Sequence, residues 1–294
     1  TALNTLSLKG MATDSSGYSA AGGSLGITEG GSAATVLANK TLTLNLNGGY
    51  LGAITDNSNQ FTTINAVLAA DTELTSFVDT ALKTINISGT GVFAIDTMNT
   101  AVTALTVAGA AGFSGDISGN VGITSFTAAN TTADNTVTIN AGTQSYTGGS
   151  GADYVIVSAD AAVTITGGGG SNTLKMDASV TPTAAGMRAK VSGFQTLLTP
   201  TYGNGTIDMS KMPADITAIT VSPSTAVTSG TTLAFTKVAD GTTLYLTGTA
   251  HAGATTSYTL ANTGGATKSV SVTLGGTTSG SVDFGTLALT DING

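Results

Sequence analysis

The chain repeats one phrase: an apolar residue, two spacers, an apolar residue, one spacer, an apolar residue. Copies are Leu82, Ile85 and Ile87; Val102, Leu105 and Val107; and Ile123, Phe126 and Ala128, at a period of about 20. Phe61, Ile64 and Ala66 form an earlier copy, and Leu44 and Leu46 belong to another. Alternation within the phrase predicts a short strand with one buried face. Strands recurring at that fixed period fit a coil that adds one strand per turn to a growing parallel sheet. A sandwich would place its turn signals at about half that interval. Segments Ala66 to Leu74 and Val92 to Thr100 have helix-compatible spacing. Short helical or 3₁₀ connectors are therefore expected on one side of the coil, with Leu68, Leu74, Phe77 and Val78 packed onto the sheet.

The predicted fold is all-β: a right-handed parallel β-solenoid or β-roll with short helical connectors. Four segments follow. Residues 1–40 are an N-terminal entry or cap rich in Gly, Ser and Ala, with a weak strand at Ala2 to Leu8 and loop character from Ser15 to Ser32. A cap would cover the unpaired strand edges at a solenoid end. Residues 41–129 are the solenoid that carries the repeated phrase. In 130–200 the period shortens slightly and the coil narrows, with strands at Val137 to Ile139, Val155 to Val157, Val163 to Thr166 and Leu174 to Met176. The stretch Ala185 to Leu198 reads as a short helix or bulge leading into the next strand. In 201–294 the strands recur at a closer spacing, roughly half the earlier period, from Ile216 to Val221 through Leu287 to Leu289. That fits two strands per turn of the same coil, or a β-rich second arm or seven-stranded sandwich. TTLYLTG (242–248) echoes TLTLNLNG (41–48), which favours the coil.

The chemistry concentrates between Asn130 and Met176, where three lines align: NTTADNTVT (130–138), GGSGADYVI (148–156) and GGGGSNTLK (167–175). The middle line matches the nonapeptide G-G-x-G-x-D-x-U-x, U being a large apolar residue, through Gly148, Gly149, Gly151, Asp153 and Val155. The last line has Asn172 in place of the acid, and the first keeps only Asn135 and Val137. From Asn135 to Asp153, and again from Asp153 to Asn172, the chain advances by about two nonapeptides, one full turn of a β-roll. The three loops should therefore stack along one edge. Stacked glycine loops can turn carbonyls inward, and Ca2+ takes about 6 to 8 hard oxygens at about 2.3–2.6 Å. One Ca2+ ion, or at most two, is therefore expected here.

Composition narrows the rest. The chain has 294 residues, 40 Gly, only 9 % charged residues, no Cys, no Trp and one His. With 40 % hydrophobic residues it should fold, unlike a disordered chain. Net charge is −8 and the basic residues are scattered, which argues against a nucleic-acid partner. No apolar run is long enough to span a membrane as a helix. His251 is the one histidine, so catalysis by a His pair or a Cys/His dyad is excluded. Scattered acids, with 7 Tyr and 8 Phe but no Trp, fit no sugar cleft, and no enzyme activity is expected. Threonine pairs at Thr41 and Thr43, Thr136 and Thr138, and Thr164 and Thr166 could form an ice-matching array. They do not recur at one phase in every turn, and β propensity explains them. The chain starts at Thr1 and ends after a strand at TDING (290–294), and it reads as a piece of something longer.

Taken in order, ITSFTAANTTADNTVTINAG (123–142), YTGGSGADYVIV (146–157), TITGGGGSNTLKM (164–176) and VSGFQTLLTP (191–200) resemble the calcium-binding portion of Caulobacter-type surface-layer proteins. Those proteins contain RTX repeats and leave the cell by type I secretion. TLTLNLNGG, FTTINAV, LKTINISGTG and SVDFGTLALTDING are similar to that family's strand phrases. The resemblance covers most of 41–294, and only the nonapeptide is specific. It makes 130–200 an RTX-like calcium-binding β-roll and implies a secreted, extracellular subunit that self-assembles into a two-dimensional lattice. Cell-surface polysaccharide would be reached through a part outside this chain. It also implies calcium ligands at Asp153, Asn172 and Asn135, with the loop residues Gly148, Ser150, Gly151, Gly167 and Gly169. The alternative of the same secreted class is a module of a large RTX adhesin, and an ice-binding solenoid is more distant.

Overall fold

Alternating Leu or Ile with Thr or Asn suits a pleated strand, and each phrase folds as one. Its three apolar positions point into the core. Phe61, Leu82 and Val102 are fully buried, as are their partners Ile64 and Ala66, Ile85 and Ile87, and Leu105 and Val107 to within a few per cent. In this computed structural model the chain is nearly all-β, with parallel strands forming a β-solenoid of about 10 turns and almost no helix. The structure describes residues 3–9, 23–28, 41–128, 131–201, 203–224, 227, 230–248, 253–261, 269–276 and 284–290. The expected loop over 15–22 and 29–32, His251 and residues 282–283 of an expected strand lie outside them.

Two compact units are distinguished, Thr1–Tyr154 with Gly168–Gly170, and Val155–Gly167 with Ser171–Gly294. In the first unit the strands form two rows. The first row runs Thr5–Lys9, 41–47, 63–68, Thr84–Gly89, Ala104–Val107, Ser125–Thr127 and Ser145–Thr147. The second runs Leu25–Ile27, 49–56, 72–78, Val92–Thr97, Gly112–Asp116 and Thr136–Ile139. Strands Thr41–Asp56 and Thr63–Val78 belong to both rows because they bend through the corner between them. At that bend Gly48 and Gly49 take φ of +82° and +95°, and the register slips between Leu46 and Asn47.

Each turn thus carries two strands, where the repeat suggested one. The expected helical connectors are strands as well: Ala66 to Leu74 lies within Thr63–Val78, and Val92 to Thr100 holds Val92–Thr97. The physical reason is the corner. A strand that crosses it with an extra residue loses its two-residue alternation there, and its apolar spacing then imitates a helix. Leu68, Leu74 and Phe77 are buried all the same, while Val78 is exposed.

The second unit keeps the parallel plan. One row runs Thr173–Met176, Thr196–Thr199, Ala218–Val221, Thr243–Gly248 and Ser271–Gly276. Another runs Gly205–Asp208, Thr232–Val238, Thr255–Leu260 and Thr286–Thr290, and Ile165–Thr166 pairs with Val191–Ser192. Parallel pairing throughout is the two-strand coil and not a sandwich, whose sheets are antiparallel. The expected helix in Ala185 to Leu198 is present as Met187–Lys190. The Asp160 carboxylate accepts the Met187 N–H at 3.0 Å and the Thr183 hydroxyl at 2.5 Å, fixing the turn that leads into it.

Candidate functional site

Successive turns approach so closely at the corner between the two rows that a side chain has no room. A methyl group on Gly89 would meet the Leu68 carbonyl, and one on Gly91 would meet the backbone of Ala70. Two turns of the nonapeptide region repeat that pattern. Gly149 lies against the Thr131 carbonyl and Gly151 against that of Ala133, while Gly168 and Gly170 lie against the carbonyls of Gly149 and Gly151. The G-x-G of 149–151 therefore does what the G-x-G of 89–91 does elsewhere in the coil, where no acid follows. Close backbone stacking is sufficient reason for these glycines.

Two residues beyond Gly91 and Gly151 comes an inward position, shared by turns that have alanine in place of the glycine. Thr72, Phe93 and Phe113 occupy it in successive turns, in register, and Asn135 follows beside Phe113. Asn135 and Asp153 are both buried, and they are bonded as rungs. The Asn135 Oδ1 accepts the backbone N–H of Phe113 at 3.0 Å, which leaves the Asn135 amide nitrogen facing the other way. Asp153 Oδ1 then accepts both the Asn135 backbone N–H, at 3.0 Å, and the Asn135 Nδ2, at 2.9 Å. In the second unit Asn172 stands in the same relation to the next rung. Its N–H donates to Gln195 Oε1 at 2.8 Å, and its Nδ2 donates to the Gly193 carbonyl at 2.8 Å. Each of these side-chain oxygens thus takes a buried backbone N–H from the turn before, a group that would otherwise be lost to the interior.

Within the first unit Asn135 and Asp153 lie one turn apart and bonded to each other, and the loop positions also bond between turns. Ser150 N–H donates to the Thr131 carbonyl at 2.9 Å, Gly169 N–H to the Gly149 carbonyl at 2.7 Å, and Gly167 N–H to the Ser192 carbonyl at 2.9 Å. The Gly148 carbonyl lies against Gly168. This donor set does not fit a calcium cage. Calcium wants about six or more oxygens converging on one centre, whereas here the Thr131 and Gly149 carbonyls accept N–H groups of the next turn and Asp153 Oδ1 faces two N–H groups. Among the described residues no three His, Cys, Asp or Glu side chains are grouped to hold a metal ion.

Burial pushes the Asp153 carboxyl above its usual range, against the opposing pull of its bonds with Asn135 and Tyr146. The Tyr146 phenol, also raised chiefly by burial and then by Asp153, ends an aromatic stack of Phe113, Phe126 and Tyr146 with centroids 5.4 and 5.6 Å apart.

A second corner of the first unit carries a polar ladder that the sequence reading missed. Asp79 accepts Phe61 N–H at 3.0 Å and Ala81 N–H at 2.7 Å, and Asp56 accepts Ser58 and Gln60 N–H at 2.8 and 2.6 Å. Asn99 donates to the Asp79 carbonyl at 2.7 Å, Asn120 to the Asn99 carbonyl at 2.8 Å, and Gln144 to the Asn120 carbonyl at 3.0 Å. The recurrence of Asp or Asn at 56, 79, 99, 120 and 140 was the available signal.

The outer faces of the two rows differ in charge. On the first row Thr5, Thr43, Asn65, Asn86, Thr106, Thr127 and Thr147 stand side by side in one rank. Asn86 Nδ2 donates to Asn65 Oδ1 at 2.9 Å, and the Thr106 hydroxyl donates to Asn86 Oδ1 at 2.8 Å. Thr41, Thr63, Thr84 and Ala104 form a parallel rank, and no strand of this row from Thr41 onward holds a charged residue. A common phase does exist, then, once Asn and Ser are counted with Thr. Thr136 and Thr138 belong to the other row. The second row presents a groove of about 370 Å³ lined by Asp71, Glu73, Ala94, Ser114, Asp134 and Thr136, among others. Burial, then the nearby Asp96, raises Glu73. No described helix is long and apolar enough to cross a membrane. Neither a protein-family model nor a curated protein sequence matches the chain.

Proposed function

We propose that this chain is a structural segment of an exported bacterial surface-layer subunit, with no catalytic role, whose solenoid makes lateral contacts with further copies outside the cell. The observation that carries the reading is the outer face of the first row, whose strands from Thr41 onward hold no charged residue. Two copies of a chain with net charge −8 repel one another wherever their acids meet. The rank from Thr43 to Thr147 lets flat sheets approach without that repulsion, and its amides and hydroxyls are already ordered by one another. The resemblance of the sequence phrases, in their order, to those of surface-layer proteins supports the same role. Electron microscopy of the purified chain at rising concentration tests it: ordered sheets are expected, and particles that stay monomeric at every concentration would reject it. An adhesin module would instead stay monomeric and retain a soluble or surface ligand.

A further inference from the structure

We infer that the glycine corner of the first unit is closed by its own buried ladder, in which Asn135 takes the Phe113 N–H and Asp153 takes the Asn135 N–H, and that this ladder stands where the nonapeptide motif implies calcium. Three observations carry the inference. The glycines are already required, since Gly89 and Gly91 meet the preceding turn as Gly149 and Gly151 do, in a turn with no acid two residues on. Phe93 sits at that position instead, which shows that the column is part of the core. The ladder also has its own polarity. Asn135 is fixed by its bond to the Phe113 N–H, so its amide hydrogens point at Asp153, and a cation beside Asp153 Oδ1 would meet N–H groups rather than oxygens. Finally, two carbonyls of this corner already bond to the backbone of the adjacent turn, Thr131 accepting the Ser150 N–H and Gly149 the Gly169 N–H.

A ladder and a cage respond differently to one change. Asp153→Asn removes the only carboxylate among the three aligned loop positions but keeps an oxygen that accepts the Asn135 N–H. A ladder tolerates it, and a calcium site loses its charge. The experiment follows thermal unfolding of the full chain, wild type and D153N, by circular dichroism in millimolar CaCl2 and in excess EGTA, with isothermal titration of CaCl2 alongside. Expected are wild-type melting temperatures that agree within about 1 °C in the two buffers and no saturable heat. D153N should fold and melt close to wild type. Asn135→Ala, which strands the Phe113 N–H, should melt several degrees lower in both buffers. The inference is overturned if EGTA lowers the wild-type melting temperature by several degrees and D153N abolishes that response. A calcium response that survives in D153N places the ion elsewhere and leaves the ladder standing. Assembly seen by microscopy is read separately, so the surface-layer proposal can fail without touching this one.

Discussion

The two polar corners of the first unit meet one requirement with different chemistry. Where a parallel strand leaves its row, buried backbone groups lose their ladder partners and need side chains to replace them. In the buried column of the glycine corner one acid, Asp153, is bonded to an amide, and the side-chain oxygens accept N–H groups. At the other corner two acids, Asp56 and Asp79, follow one another before the amides Asn99, Asn120 and Gln144 take over. The second arrangement carries a like-charge penalty in its first rungs. Burial, and then the charge of Asp56, lifts Asp79 to about 6 even though the Ala81 and Phe61 N–H groups pull it down. Alternating acids with amides is therefore the milder way to fill such a column.

The contrast can be broken most forcefully at Asn135. Asn135→Ala leaves the Phe113 N–H without its partner and takes a side-chain donor from Asp153, and about 3–5 kcal/mol of stability should be lost, read by chemical denaturation. Next comes the backbone stacking. Gly151→Ala drives a methyl into the Ala133 carbonyl and should lose about 2–4 kcal/mol, whereas Gly119→Ala, with open space around it, should stay within about 0.5 kcal/mol of wild type.

The acid pair gives a smaller, pH-dependent effect. Asp79 holds its proton to about 6 in the folded chain and to 3.8 in the reference state. Its folded pKa is raised, so its contribution is full below about pH 4 and is lost as pH rises through about 6. The melting temperature should therefore rise by a few degrees between about pH 7.5 and about pH 5. Asp79→Asn should flatten that slope whatever it does to stability itself. The smallest effect on folding is expected on the uncharged face. Thr127→Lys, at an exposed position of the same rank, should change stability by less than about 0.5 kcal/mol, while breaking the ordered sheets expected by microscopy.

Much of the fold was legible because burial and period agree. Phe61, Leu82, Val102 and Ile123 mark the turns in the sequence and line the core in the structure. The connectors were misread because apolar spacing cannot separate a helix from a strand that slips phase at a bend, as Leu68 to Leu74 does. At the candidate site the spacing of Asn135 and Asp153 was readable, and they are bonded one turn apart. Their partners were not, because only the register reveals that Phe93 and Phe113 share the column. Asn99, Asn120 and Gln144 escaped notice because each looks like an ordinary loop amide until the turn above it is in place.

Register also decides how such a chain can acquire its structure. Thr43 pairs with Asn65, Asn65 with Asn86, and Asn86 with Thr106, so each strand finds its partner about one phrase away in sequence. Loop closure over so short a distance is fast, and every finished rung is a template for the next. The molecule can therefore form progressively, one coil at a time, while the remainder of the chain is still unfolded.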